Sequence, residues 1–378
     1  MRFGFDLRPF LREETGVGTY LRNLLFQLAR IDRTNEYFLF SSSWKDRFPA
    51  DKVPPFEHLK FRDCRLPVRV LNSLWQKRRR PYLDSFFRTD LDLTHSATPL
   101  LLPTRGKKII TVHDIFFMDF PVLAGEEAGK VFFRLAAASF RDADGIVTSS
   151  ATTAVEIVSR FALDERKVRT IPPGLDMRFL EDVPSAELKE TANRLELPPS
   201  FLLFVGAQVP RKNLVRFLDA LKIVHLHGFQ IPLILAGPEG EDSAPIRAKA
   251  DTLGMSRWIR TTGYIGEKDI RNLYRLATAF VLPSLCEGFG IPLLGAMASG
   301  VPVAASRVSA IPEVCRDAAV YFEPDNPESM AEKVISLLED EDLRKKLVSR
   351  GKERARSFSW EKTALETLAL YESVMQGS

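Results

Sequence analysis

Residues 279–304 read Ala279-Phe-Val-Leu-Pro-Ser-Leu-Cys-Glu-Gly-Phe-Gly-Ile-Pro-Leu-Leu-Gly-Ala-Met-Ala-Ser-Gly-Val-Pro-Val-Ala304. Ala279–Leu282 is a short apolar run and reads as a buried strand. Residues 291–299 read as a helix, with Pro292 suited to its first turn. A second apolar run, Val301–Ala304, follows the Gly-Val-Pro break. A strand, a helix and a second buried strand in so short a span make a βαβ unit, and hence a parallel sheet.

The same alternation extends in both directions. In the first half, strands are expected at Arg2–Phe5, Tyr37–Ser41, Leu59–Arg62, Leu91–His95, Lys108–His113, Gly145–Ser149 and Val168–Ile171. Helices are expected at Gly18–Ile31 and Glu127–Phe140. In the second half, strands are expected at Phe201–Val205, Pro232–Ala236, Trp258–Thr261, Ala279–Leu282, Val301–Ala304 and Ala319–Phe322. The intervening helices fall at 213–227, 267–277, 291–299, 327–339 and 341–355. The α/β pattern occurs twice, so two doubly wound domains are expected. Pro172-Pro173-Gly174 suits neither a strand nor a helix and marks the boundary.

The chain has 378 residues, 45% hydrophobic and 27% charged, with a net charge of +4. That is too long for one core and normal for a globular protein. The mild basic excess points to no nucleic-acid partner. Cys64, Cys286 and Cys315 are scattered, which suits a reducing compartment better than a disulfide framework. No segment is long enough to cross a bilayer, and the N-terminus lacks a signal-peptide core. A cytoplasmic location follows as the expectation.

Ligands of open parallel sheets bind beyond the carboxyl ends of the strands, so four loops matter. In the first, Asp6 to Tyr20, Gly16 and Gly18 let backbone N–H groups approach an anion; glycines serving only a turn explain them equally well. The second, Thr111-Val-His113-Asp114, offers polar groups at a strand end, although a lone histidine is more often structural. The third, Val205 to Asn213, sets Arg211 and Lys212 at a helix start. Two cations there oppose the helix dipole unless an anion balances them. Asn213 is placed to cap the helix. In the fourth, Gly288 and Gly290 permit close backbone approach. Glu287 would repel phosphate there and is better suited to accept hydrogen bonds from hydroxyls. A site wanting both phosphate and hydroxyls suggests a sugar phosphate or a nucleotide sugar.

Taken together, the loops resemble the retaining glycosyltransferases of family 4, which have the GT-B fold. The matching motifs are Thr15-Gly-Val-Gly-Thr-Tyr20, Val112-His-Asp114, Ile171-Pro-Pro-Gly-Leu-Asp176, Pro210-Arg-Lys-Asn213, Gly263-Tyr-Ile-Gly-Glu-Lys-Asp269 and Pro283-Ser-Leu-Cys-Glu-Gly-Phe-Gly-Ile-Pro292. They cover nearly the whole chain in order. The resemblance implies two Rossmann-like domains, 1–172 on the acceptor side and 173–357 on the donor side, facing each other across a cleft. It also implies a closing helix, 358–378, that crosses back to the first. Arg211 and Lys212 would bind the donor diphosphate, and Gly16 and Gly18 would approach it. Glu287 would contact sugar hydroxyls, with Phe289, Gly290 and Ile291 nearby. Tyr264 and Ile265 would meet the base, and His113 would lie near the reacting carbon.

One position departs from the family. A second glutamate, which typically binds ribose hydroxyls, is expected where Gly295 stands. Losing such a contact costs roughly 1.5–3 kcal/mol, and glycine costs about 1 kcal/mol against alanine inside a helix. Weak donor binding, a substitute anchor, a lost activity and tolerated variation all account for it.

Two patterns suggest a metal and read otherwise. Asp142-Ala-Asp144 ends a helix, and His225 and His227 diverge on theirs. No cofactor and no metal are therefore expected. Residues 65–88 carry seven basic side chains and one acidic, among Leu74 and Trp75. They suit either an anionic membrane surface or a solvated helix with its apolar side on the core.

The expected activity is retaining, metal-independent hexosyl transfer from a nucleotide sugar to a glycan or lipid-linked acceptor in surface polysaccharide or lipopolysaccharide synthesis. The Thr-Gly-Val-Gly-Thr-Tyr variant looks most like mannosyltransferases, which makes GDP-mannose the leading donor. The rivals are a non-catalytic nucleotide-sugar-binding or scaffold protein, favoured by Gly295, and a dinucleotide-dependent oxidoreductase. The incomplete glycine fingerprint counts against the oxidoreductase.

Overall fold

The computed structural model describes residues 1–10, 16–49, 52–119 and 126–377. It divides into two compact units, Met1–Gly174 with Ser359–Ser378, and Leu175–Phe358. Leu11–Thr15, which precede the two glycines of the first loop, lie outside the described residues.

The first unit has seven strands among the described residues: β1 Arg2–Asp6, β2 Glu36–Ser42, β3 Leu59–Cys64, β4 Leu93–Ser96, β5 Lys107–Val112, β6 Gly145–Thr148 and β7 Val168–Thr170. Their order is β3-β2-β1-β4-β5-β6-β7, and every pairing is parallel. Phe3, Phe5, Leu39, Leu93, Ile109 and Val147 are fully buried. Such strands read as apolar runs because helices cover both faces of the sheet. The closing helix, Trp360–Gln376, packs on the Gly16–Ile31 helix. It drives Trp360 and Tyr371 into the core of this unit. A Cβ at Gly174 would lie 2.1 Å from the Trp360 amide nitrogen. Glycine is needed there because the chain leaves this unit right beside the point where it returns.

The second unit has six strands among the described residues: β8 Leu202–Val205, β9 Leu233–Ala236, β10 Ile259–Gly263, β11 Ala279–Leu282, β12 Val303–Ser306 and β13 Ala319–Phe322. Their order is β10-β9-β8-β11-β12-β13, again all parallel. In each unit the strand order reverses direction once, between β1 and β4 and between β8 and β11. A crevice at the carboxyl ends is expected at such a reversal. This is the GT-B pair of Rossmann-like sheets.

Some boundaries differ from the sequence reading for local reasons. β4 begins at Leu93, not Leu91, because the Leu91 amide donates to the Asp84 side chain (3.1 Å) instead of to the ladder. β12 begins at Val303 because the Val301 amide closes the preceding helix by donating to the Ala296 carbonyl (3.0 Å). Gly16 and Gly18 lie inside the first turn of their helix and not in the loop before it.

Candidate functional site

Two loops leave the strands at the reversal of the second sheet. After β8, the chain makes a 3-10 turn, Pro210–Lys212, into the Leu214–Leu226 helix. After β11, Pro283–Gly290 leads into the Ile291–Ala298 helix. The two loops meet. Glu287 is buried (6% exposed), and its Oε1 accepts from Lys212 Nζ and from Ser284 Oγ at 2.6 Å. Its Oε2 accepts from Arg211 Nη1 at 3.0 Å. Burial pushes the Glu287 carboxyl up, but the Lys212 and Arg211 charges and the Lys212 and Ser284 hydrogen bonds outweigh it and hold it at about 2. It is ionised at any physiological pH.

This changes the reading of the cation pair. The charge at the helix start is balanced in part from within the chain. Two cations and one carboxylate leave one net positive charge on a cluster whose Arg211 side chain is 27% exposed. Glu287 is tied up by three donors, so one of its functions is to hold Arg211 and Lys212 in place.

Asn213 also differs. It stands at the first cap position with φ 58°, but its side chain makes no capping hydrogen bond. Its Nδ2 donates instead to the carbonyls of Pro283 (3.0 Å) and Pro324 (2.6 Å), clamping the β11 loop beside the cation turn.

Gly290 has φ 87°, and a Cβ there would lie 2.7 Å from Leu293 Cδ1. That left-handed residue turns the chain into the Ile291–Ala298 helix, whose first turn carries Pro292. Phe289 is buried edge-on against Phe358, with ring centres 5.5 Å apart. Ile291 packs against the core of this unit. Tyr264 is 62% exposed after β10, while Ile265 packs against the core. The second sheet thus gathers Arg211, Lys212 and Glu287 at one point, and Phe289, Gly290 and Ile291 continue the same loop.

Gly295 has a packing reason that the sequence did not show. A Cβ there would lie 3.0 Å from Tyr274 Cε2 and 3.4 Å from Phe179 Cε1. The buried Tyr274 ring fills the space that a side chain at 295 would enter.

In the first unit, His113 follows β5. Its Nδ1 lies 2.9 Å from Ser149 Oγ, and its ring meets Tyr20 edge-on at 4.7 Å between centres. Nε2 finds no hydrogen-bond partner among the described residues. Burial drives its pKa down to about 4, against the pull of Asp114, so His113 is a neutral imidazole at pH 7. On β4, His95 is 1% exposed. Its Nδ1 lies 2.6 Å from Tyr371 Oη and its Nε2 2.8 Å from Thr111 Oγ1. Gly16 opens its helix, and among the described residues nothing lies within 4 Å of where a Cβ would sit. Gly18 is buried.

Sequence reasoning missed Ser284 and Tyr274. Ser284 had a signal, since it lies three residues before Glu287 at a strand end. Tyr274 had none, because its role comes only from packing on Gly295. The two metal-like patterns have structural partners. Asp144 accepts from Lys107 Nζ (3.1 Å) and the Lys108 amide (2.9 Å), and Asp142 pairs with Arg79 at 2.7 Å. His225 and His227 meet the carbonyls of Ile231 (2.9 Å) and Ile223 (3.0 Å). Among the described residues, no three His, Cys, Asp or Glu side chains gather as a metal site would need.

Known proteins share the fold and the sequence family of this chain. The family model described as Glycosyltransferase Family 4 matches residues 15–179, and that described as Glycosyl transferases group 1 matches residues 186–354. The O-antigen chain mannosyltransferase B of Escherichia coli is 28% identical over 386 residues, covering 98% of this chain and 99% of that protein. The serotype-specific mannosyltransferase WbdA of Escherichia coli is 26% identical over 277 residues, 72% of this chain but only 34% of the longer relative. Among solved structures, sucrose-phosphate synthase from Thermosynechococcus elongatus superposes with a TM-score of 0.78 over 100% of both chains at 19% identity. The two family models in the expected order, the two parallel sheets and the shared architecture agree: this chain belongs to the family 4 glycosyltransferases of the GT-B fold.

Proposed function

We propose that the chain transfers a hexose, with mannose from GDP-mannose as the leading donor, to a glycan or lipid-linked acceptor in surface polysaccharide or lipopolysaccharide synthesis. The observation that carries this reading is the Arg211–Lys212–Glu287 cluster at the strand reversal of the second sheet. It is a preorganised cationic group of net charge +1 at a helix start, suited to a diphosphate that gains charge as it leaves. The full-length relationship to an O-antigen mannosyltransferase favours the sugar and the pathway.

In the proposed reaction, the bond from the anomeric carbon to the diphosphate oxygen breaks through an oxocarbenium-like state. The acceptor hydroxyl bonds to the same face, so configuration is retained, and its proton passes to the departing phosphate. Arg211 and Lys212 stabilise that phosphate and make a divalent ion dispensable. His113, a neutral imidazole at pH 7, would hydrogen-bond a sugar hydroxyl near the reacting carbon. It is not suited to supply a proton. Gly16, Gly18, Tyr264, Ile265, Phe289, Gly290 and Ile291 complete the proposed donor contacts. The enzyme would work in the cytoplasm, with the basic residues of 65–88 against the anionic inner face of the membrane. No helix of the described residues is long and apolar enough to cross a membrane.

The test is to incubate the protein with GDP-mannose and with UDP-glucose, with EDTA present, and follow the anomeric proton by NMR. Donor consumption giving a product of the donor's own configuration supports the reading. Inverted product, or dependence on a divalent ion, refutes those parts of it.

A non-catalytic binding role has one observation in its favour. A Cβ at position 295 would lie 3.0 Å from the Tyr274 ring, so a glutamate there requires the ring to shift. Nucleotide binding without donor turnover, across a range of acceptors, would establish that second reading.

A further inference from the structure

The first unit holds a cavity of about 540 Å³ that the donor site does not use. It reaches from the carboxyl ends of β1 and β4, at Asp6 and Ser96, to Ser139 on the Glu126–Asp142 helix. Val68, Trp75, Leu100, Leu101 and Leu135 make its walls largely apolar. The Arg8 guanidinium on its wall is already neutralised. It forms a close pair with Asp6 (2.6 Å), donates to Asn72 Oδ1 (2.9 Å) and lies 4.4 Å from the centre of the Trp75 ring. Arg79, also on the wall, pairs with Asp142. A ligand's charge therefore gains little from Arg8, while Arg79, in a half-exposed and hence weak pair, and Lys108 add some positive charge to this wall.

A second hollow, of about 430 Å³, adjoins the first and shares Tyr82 with it. Its lining includes Arg78, Arg80 and Arg105 and no acidic residue. Arg80 and Arg105 flank the Tyr82 ring, 5.0 and 5.7 Å from its centre. Arg105 pairs with Asp90, but both partners are largely exposed, and such pairs are weak. Among the described residues, Arg78 and Arg80 have no carboxylate partner. Three arginines lie on one side of Tyr82, and on the other a wall that is mostly apolar but also carries Arg79 and Lys108.

This matters for residues 65–88. Leu71 and Trp75 of the Val68–Arg78 helix are buried among Phe38, Phe40 and Leu83. Val70 of the same helix is exposed, and Arg78 borders a shaped recess.

We infer that the cavity and the arginine hollow form one site for a phosphate-bearing lipid, the carrier of a lipid-linked acceptor, with its apolar chain in the cavity and its phosphate on Arg78, Arg80 and Arg105. The inference deepens the proposed function and rests on it. Charge complementarity selects the phosphate. The apolar walls select the chain, since burying it away from water is what favours binding there.

Farnesyl phosphate, below its micellar concentration, is the probe, titrated by calorimetry against farnesol and inorganic phosphate. Farnesyl phosphate should bind about tenfold or more tighter than either alone. The triple variant Arg78→Glu, Arg80→Glu, Arg105→Glu should erase that advantage and leave farnesol binding unchanged. Leu101→Asp should weaken farnesyl phosphate and farnesol together. Hydrogen exchange of peptides covering β1 and β4, unchanged in both variants, reports that the first unit is folded. Farnesyl phosphate binding no tighter than phosphate, or unchanged in the triple variant, overturns the site. So does farnesyl phosphate binding that survives in the triple variant while its flotation with anionic phosphatidylglycerol vesicles is lost, since the arginines would then serve the membrane contact alone. Failure of the functional reading looks different: farnesyl phosphate binds, but no nucleotide sugar is ever consumed.

Discussion

Replacing Glu287 with glutamine keeps its shape and removes the one anion between two cations. Lys212, its side chain 7% exposed, then loses its bond to the Glu287 carboxylate. Two independent routes give the size of the effect. Breaking a buried pair by removing one partner costs about 3–5 kcal/mol. The fall of the Glu287 carboxyl from 4.5 to about 2 corresponds to about 3 kcal/mol in favour of the ionised form in the folded state. The sign follows from a folded-state value below the unfolded one. The contribution is complete above pH 4.5 and is lost as pH falls toward 2. Glu287→Gln should therefore lower the stability of the second unit by about 3 kcal/mol at pH 7, and the gap to wild type should narrow below pH 4.5. Hydrogen exchange of peptides covering β8 and β11 reads this unit separately from the first. Corrected for intrinsic rates, protection at pH 7 should fall by about two powers of ten. The variant should also gain more stability from added nucleoside diphosphate than wild type does, because the ligand replaces the missing anion. Equal protection of the two proteins at pH 7, or a gap that does not narrow in acid, would refute this account of the cluster.

Further outcomes follow from the same geometry. His113→Ala should lose transfer activity while nucleotide affinity is kept; unchanged turnover would remove His113 from the reaction. Because the His113 pKa lies near 4, the rate should show no limb from this group between pH 5.5 and 8. Burial, with the nearby His113, depresses His95 to about 3, so the unfolded chain takes up its proton first. The first unit should lose about 1.4 kcal/mol per pH unit from this group between pH 6 and 4, and flat exchange protection of β4 over that range would contradict it. Gly295→Glu should destabilise the second unit by about 1–3 kcal/mol by displacing Tyr274. It should improve nucleotide affinity only when combined with Tyr274→Ala, as calorimetry would show.

The two sheets were legible because their strands are buried on both faces and so stand out as apolar runs between helices. What blurred at the ends was decided by single hydrogen bonds that no propensity records, such as Leu91 to Asp84. The site loops were legible as loops following strands, and the basic turn was recognisable at its helix start. The pairing of Arg211 and Lys212 with Glu287 was not, because about 75 residues separate them. They meet only because β8 and β11 are neighbours at the reversal of the sheet. Glu287 looked out of place in a phosphate site when read alone. The structure gives it a second role, as the residue that keeps two cations from repelling each other. Gly295 left four accounts open in the sequence, and the tight approach of Tyr274 adds a packing reason for a small residue there. Of the apolar residues in 65–88, Leu71 and Trp75 are buried in the core, whereas Leu66 and Val70 are exposed.

The central claim is that the Arg211–Lys212–Glu287 cluster holds the diphosphate of a nucleotide sugar without a metal. It is tested most directly by a thermal-shift panel of GDP, UDP, ADP, CDP and NAD, with and without EDTA, on wild type and Arg211→Ala. The account predicts stabilisation by one nucleoside diphosphate, indifference to EDTA, and loss of the shift in the variant. Stabilisation by NAD, no shift with any nucleotide, or a shift that Arg211→Ala leaves intact would contradict it.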